Sequence, residues 1–133
     1  MRTPGKPKKV LPDDLKTVLI YFSERRCREW LVSELHPEGA FCPSCGHDHN
    51  SESVLQLVYS LKRIRCRSCG RKFSAYSGTV FEHTRLGPRQ IVAMLTLFRM
   101  GRSNAEIARA ANMNRSTVSR WRYFFRAEGS KYV

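Results

Sequence analysis

No run of apolar residues in this chain approaches the roughly 18 needed to cross a bilayer. The first ten residues, Met1 to Val10, are basic and Pro/Gly-rich, and no apolar core of a secretory signal follows them. These two absences exclude a helical membrane protein and a signal-directed secreted one, so a reducing cytosol is the expected compartment. Acidic residues are scarce: 11 Asp+Glu stand against 24 Lys+Arg, a formal net charge of +13. No cluster of His, Asp or Glu offers a catalytic site. No heptad repeat marks a dimer helix, and no long basic amphipathic helix with exposed apolar anchors marks a membrane-surface segment.

What is present is cysteine, in a pattern. Cys42-Pro-Ser-Cys45-Gly and Cys66-Arg-Ser-Cys69-Gly are separated by twenty residues. Paired Cys-x2-Cys turns at this spacing are a zinc signature. Each turn aims two thiolates at one ion, and two turns close a tetrahedron with no open position for substrate. One structural Zn2+ on Cys42, Cys45, Cys66 and Cys69 is the expectation. Four thiolates and one zinc ion leave a net charge of about +11. His47 and His49 are alternative ligands, but four cysteines already fill the shell, so both are assigned to a loop. Cys27 falls on an apolar helical stripe and reads as a small core side chain.

The cations are unevenly placed. Residues 85–126 carry nine arginines and one acid, Glu106, and residues 62–72 carry six cations and no acid. Such runs fit a polyanion, with nucleic acid the best candidate.

Along the chain, residues 1–11 form a basic arm. Residues 12–39 form a helical segment, opened by Pro12 and interrupted by a second cap at Ser23. Residues 40–84 form a small β zinc ribbon, with strands expected at Val54–Tyr59, Lys62–Cys66 and Lys72–Tyr76. Ser77-Gly78-Thr79 is a turn, after which Val80 and Phe81 pack back. Residues 85–133 form three helices. Ser103 and Glu106 make a capping box for the second of these. Asn112-Met113-Asn114 turns the chain into the third, which carries Val118, Trp121, Phe124 and Phe125 on its core side. The class is α+β. Two helices joined by a tight turn, the later one polar and basic at its start, suggest a helix-turn-helix.

In that arrangement the third helix faces the major groove. Arg115, Ser116, Ser119 and Arg120 are the expected base readers. Arg102, Arg109, Arg122, Arg126 and Thr117 are the expected phosphate contacts, with Lys62, Arg63, Arg65, Arg71 and Lys72 on the ribbon.

The order of motifs resembles a known arrangement. Phe22-Ser23-Glu24-x-x-Cys27-x-x-Trp30-Leu31 precedes Gly39-Ala-Phe-Cys42-Pro-Ser-Cys45-Gly46. Cys66-Arg-Ser-Cys69-Gly-Arg-Lys-Phe73, Ser77-Gly-Thr-Val-Phe81 and the three helices follow. Over residues 20–126 this resembles the N-terminal region of bacterial insertion-sequence transposases that carry a zinc ribbon ahead of a DDE catalytic domain. It also resembles small zinc-finger and helix-turn-helix regulators encoded by such elements. The resemblance implies double-stranded DNA binding and the four cysteines as zinc ligands. The chain stops seven residues after Arg126, so no DDE domain is expected in it and no enzyme activity of its own.

Three functions follow as expectations. The first is a zinc-stabilised, sequence-specific DNA-binding protein that regulates transcription. The second is the DNA-end-binding domain of a transposase whose catalytic domain lies elsewhere. The third is a ribbon adaptor for a protein partner or structured RNA. A bacterial or phage-infected cell, at the nucleoid, is the expected setting. A homodimer and a transposase or transcription-machinery partner are compatible with each DNA reading.

Overall fold

The computed structural model describes residues 23–129. The basic arm and the helix expected from Pro12 to Phe22 lie outside the described residues. Two compact units divide the chain, one spanning Glu24–Arg85 and the other containing Leu86 onward. The described elements are α1 (Glu24–Leu35), α2 (Glu52–Tyr59), β1 (Ile64–Arg65), β2 (Lys72–Phe73), α3 (Pro88–Arg99), α4 (Asn104–Ala111) and α5 (Arg115–Ala127). No described helix is long and apolar enough to cross a membrane.

In the first unit, α1 presents Cys27, Leu31 and Val32 to the core. Cys27 is buried, as its place on the apolar stripe requires. Val32 joins Ala40, Val58 and Ala75, with Val54, Leu55, Tyr59, Leu61 and Ile64 packed around them. The helical segment and the cysteine module are therefore parts of one unit. The imidazole Nε2 of His36, just past α1, lies 2.6 Å from the Ala75 carbonyl and ties the helix end to the chain after β2.

The segment Val54–Tyr59 is helical, not a strand. A short apolar run carries no decisive period of its own. Here the inward residues are 54, 55, 58 and 59, the spacing of a helix face, while Gln56 and Leu57 are exposed. The helix stops in a Schellman turn: Leu61 N–H reaches the Val58 carbonyl and Lys62 N–H reaches that of Leu57. Leu61 occupies the left-handed position at φ 61°, a site usually given to glycine. It keeps its side chain against the core instead. The sheet is accordingly smaller than expected. It is two antiparallel strands of two residues each, with Ile64 opposite Phe73 and Arg65 opposite Lys72. A single bridge joins Phe41 to Asp48.

In the second unit α3 packs on α4 and α4 on α5. Ile91, Met94, Leu97, Ile107 and Val118 are its largest fully buried side chains. Ala108 is small where the helices approach. Phe125 stacks on Trp121 at 5.7 Å and meets Phe98 at 6.3 Å.

The helical reading of α2 is testable by truncation. Leu55→Ala and Val58→Ala are each expected to cost about 1–3 kcal/mol in denaturant unfolding. Gln56→Ala and Leu57→Ala should change it by under about 0.5 kcal/mol. An alternating pattern, with Leu55→Ala silent, would restore the strand.

Candidate metal centre and nucleic-acid interface

The two cysteine turns are built by the same bonds. In the first, Cys42 N–H donates to the His47 carbonyl at 2.9 Å and Gly46 N–H to the Cys42 carbonyl at 2.8 Å. In the second, Cys66 N–H donates to Arg71 at 2.8 Å and Gly70 N–H to Cys66 at 2.9 Å. Ser44 N–H and Ser68 N–H each point at the first sulfur of their own turn, at 3.4 Å. Gly46 and Gly70 take φ of 81° and 80°, where a Cβ would be strained. The glycine after each Cys-x2-Cys is thus part of the turn's geometry.

The turns face one another. The four Sγ atoms lie within 4.8 Å of one another, with Cys42 to Cys69 at 3.7 Å and Cys45 to Cys66 at 3.5 Å. A tetrahedron with metal–sulfur bonds of about 2.3 Å has edges of about 3.8 Å, so the donor set fits an ion of that size. Cys42 and Cys66 are buried, while Cys45 and Cys69 are exposed. Ile64 and Phe73 close the inner side.

Electrostatics prepare the sulfurs unequally. Burial opposes ionisation of Cys42, but the backbone N–H groups of Cys45 and Ser44 and the neighbouring thiols outweigh it, and its pKa falls to about 6. Cys66 is lowered against its own burial in the same way, by the N–H groups of Cys69 and Ser68. At Cys69 an N–H from Arg71 favours the thiolate, yet burial and the three other sulfurs push its pKa up to about 11. Four thiolates held together repel one another, and a bound cation would relieve that repulsion.

His49 lies in the loop that the sequence indicates, and there it meets the cysteine cluster. It is buried, its Nε2 lies 3.4 Å from Cys66 Sγ, and its ring sits 5.2 Å from that of Phe73. Burial, then the charges of His47 and Arg67, lower its pKa. A neutral imidazole with its proton on Nε2 can donate to the Cys66 thiolate, as outer groups around metal ligands do. Its spacing from Cys45 does not distinguish this role from that of a spare ligand. His47 is exposed.

In the second unit, Ser103 caps α4 as the sequence indicates. Its hydroxyl accepts from Glu106 N–H, and Glu106 accepts from Ser103 N–H, both at 3.1 Å. That backbone donor holds the Glu106 carboxyl below its usual pKa. Asn112 ends α4 in the left-handed conformation, φ 56° and ψ 55°, and α5 starts three residues later.

Gln90 was not anticipated. Its Oε1 accepts from Gly87 N–H at 3.0 Å. Its Nε2 donates to the carbonyls of Ala111 at 2.9 Å and Asn112 at 3.0 Å. One amide thus caps α3 and fastens the α4–α5 turn. Nothing in the sequence marks its tie to the α4–α5 turn, because those partners are backbone atoms twenty-one and twenty-two residues away.

Arg115, Ser116, Ser119, Arg120 and Arg126 are all exposed on α5, and Arg109 is exposed on α4. Thr117 is half-buried. Lys62, Arg63, Arg65, Arg71 and Lys72 are exposed around the second cysteine turn. Arg102 and Arg122 differ. Arg122 donates through Nη2 to the Arg102 carbonyl and lies 4.9 Å over the Phe98 ring. Burial lowers its pKa. Arg102 pairs with Glu106 at 3.6 Å. The Arg122 guanidinium thus ties α5 to the α3–α4 junction, while that of Arg102 pairs locally with the first turn of α4.

No family model matches the chain, and no solved structure matches it. Over 103 residues, 75% of the chain, it is 31% identical to a Halobacterium salinarum protein described as "Uncharacterized protein in transposable element ISH50". The match covers 34% of that protein, so the chain spans about a third of the length of this relative. The chain is thus similar to a protein of a mobile element and contains four cysteines placed to bind a metal ion.

Metal removal by a chelator is expected to abolish amide-exchange protection across residues 40–76 while α3 to α5 keep theirs. Retained protection at the cysteine turns would show that they fold without an ion. Separately, Gln90→Ala should cost about 1–3 kcal/mol through its orphaned partners, and Gln90→Glu at least as much, since a carboxylate cannot donate to the two carbonyls. Denaturant unfolding followed by Trp121 fluorescence measures both.

Proposed function

We propose that this chain is a sequence-specific double-stranded DNA-binding protein of a mobile element, stabilised by one Zn2+. In this reading the cysteine turns form a zinc ribbon and α4–α5 is a helix-turn-helix with α5 as recognition helix. The observation that carries it is the outer face of α5. Arg115, Ser116, Ser119 and Arg120 are exposed along one side, while Val118 and Phe125 are buried on the other. The left-handed Asn112 supplies the tight turn before it.

Each part has a physical task. Arginine can bond guanine bidentately and serine can contact several base edges, so the start of α5 reads sequence. Arg109 and Arg126, with the exposed cations from Lys62 to Lys72, bond phosphates and position the protein without specifying sequence. Arg102 and Arg122 act as positioning residues, since their guanidinium groups already have partners inside the unit. Zinc suits a four-thiolate tetrahedron and supplies structure, not chemistry. The proposed role is binding.

The similarity to a longer transposable-element protein favours recognition of element ends as the purpose of binding, with regulation of transcription as the other DNA outcome. Selection of bound fragments from a genomic library at physiological salt, followed by footprinting, separates them. Terminal inverted repeats would identify an end binder, and promoter sites a regulator. Absence of enrichment would move the reading to a protein or RNA partner. Log affinity should fall with log salt at a slope of about −0.9 per phosphate engaged. Arg120→Ala should relax sequence preference, while Arg126→Ala should weaken all sequences alike. Equal loss on every duplex from both would defeat the division of roles.

A further inference from the structure

Among the described residues, three features stand out that take no part in the proposed contacts. The apolar side chains of Phe41 and Val80 are exposed, but nothing indicates what would cover them. The start of α2 has the unbonded cap Ser51, with no buried polar group aimed at a ligand. The third is Tyr123. It is 77% exposed, by far the most open of the large apolar side chains among the described residues. Tyrosine is a mediocre helix former, and the neighbouring aromatics Trp121, Phe124 and Phe125 pack on one another. Folding gives no reason for an open aromatic here.

Helical arithmetic places it. At 100° per residue, Tyr123 projects between Ser119 and Ser116 and is flanked by Arg126 and Arg120. It is therefore in the middle of the polar and basic face of α5. It stands eight residues after Arg115, about 12 Å along the axis. The major groove is about 12 Å wide and about 8.5 Å deep. A helix that enters it by its N-terminal residues carries its third turn to the rim, where the phosphates are.

We propose that Tyr123 is a DNA-contact residue whose hydroxyl donates a hydrogen bond to a backbone phosphate at the groove rim. This rests on the DNA-binding reading of α5 and adds a residue that no basic-patch argument selects. A neutral donor bonds a phosphate without displacing a counterion, so its signature differs from that of an arginine. It strengthens binding on every sequence and leaves the salt slope unchanged. The ring spans the step from helix to rim, and the hydroxyl makes the bond.

The test is Tyr123→Phe in the full chain with zinc, measured by fluorescence anisotropy on two 30-bp duplexes. One has random sequence and the other is the tightest duplex recovered by library selection. Binding should weaken about tenfold on both, the size expected for a hydrogen bond to a charged group. The salt slope should match that of the parent protein, whereas Arg126→Ala flattens it by about one. An unchanged thermal midpoint confirms that the exposed hydroxyl has no folding role. Affinity within twofold of the parent on both duplexes overturns the proposal. Loss confined to the selected duplex overturns it too, making Tyr123 a base reader. If the parent protein binds neither duplex, the DNA reading itself fails, a result distinct from either of these.

Discussion

Four sulfur atoms drawn within 4.8 Å of one another are the constraint on which the unit Glu24–Arg85 depends. Its sheet is two strands of two residues and one bridge, far below what holds together unaided in water. Its core, around Val32, Ala40, Val58 and Ala75, is small. The cysteine turns are ordered locally by their own N–H donors, and those donors also favour the thiolate form. Bringing four such groups together is unfavourable without a cation, which the high pKa of Cys69 expresses. A metal ion bound by these four sulfurs would couple its binding to the folding of this region. The buried His49, with Nε2 3.4 Å from Cys66 Sγ, is placed to donate to that sulfur.

The unit from Leu86 onward is held by other means. Its core is apolar and contiguous along three helices, and its polar bonds concentrate at the junctions between them. Gln90 joins the start of α3 to the turn after α4. Arg122 joins α5 to the loop between α3 and α4 and rests on Phe98. These bonds set the angle at which α5 presents its outer face. In the proposed DNA-binding role α5 would need that rigidity, because contacts to bases are directional and an orientation error loses them.

Much of this was legible in the sequence. The Cys-x2-Cys pairs, the capping box at Ser103, the turn at Asn112 and the two-sided pattern of α5 are local signals, each complete within a few residues. The rest was set by distant partners. Val54–Tyr59 reads as a strand by composition, but packing against Val32 and Ala75 selects the helix face. His49 reads as a loop residue until Cys66, seventeen residues on, comes within reach. Gln90 reads as one polar residue among many. Arg102 and Arg122 belong to a basic run, and only the fold shows that their guanidinium groups turn inward.

The sequence alone determined the chemistry available: thiolate donors in pairs, a large excess of arginine and a helix with one polar side. Those are properties of residue type and short-range spacing, and they persist whatever the chain does elsewhere. The tertiary structure decided which of these groups are occupied and which are presented. Occupation depends on atoms brought together across the chain, by bonds to backbone carbonyls and rings that no local pattern encodes. Thus Arg122 is engaged within the fold while Arg120, two residues before it, is exposed on the outer face of α5.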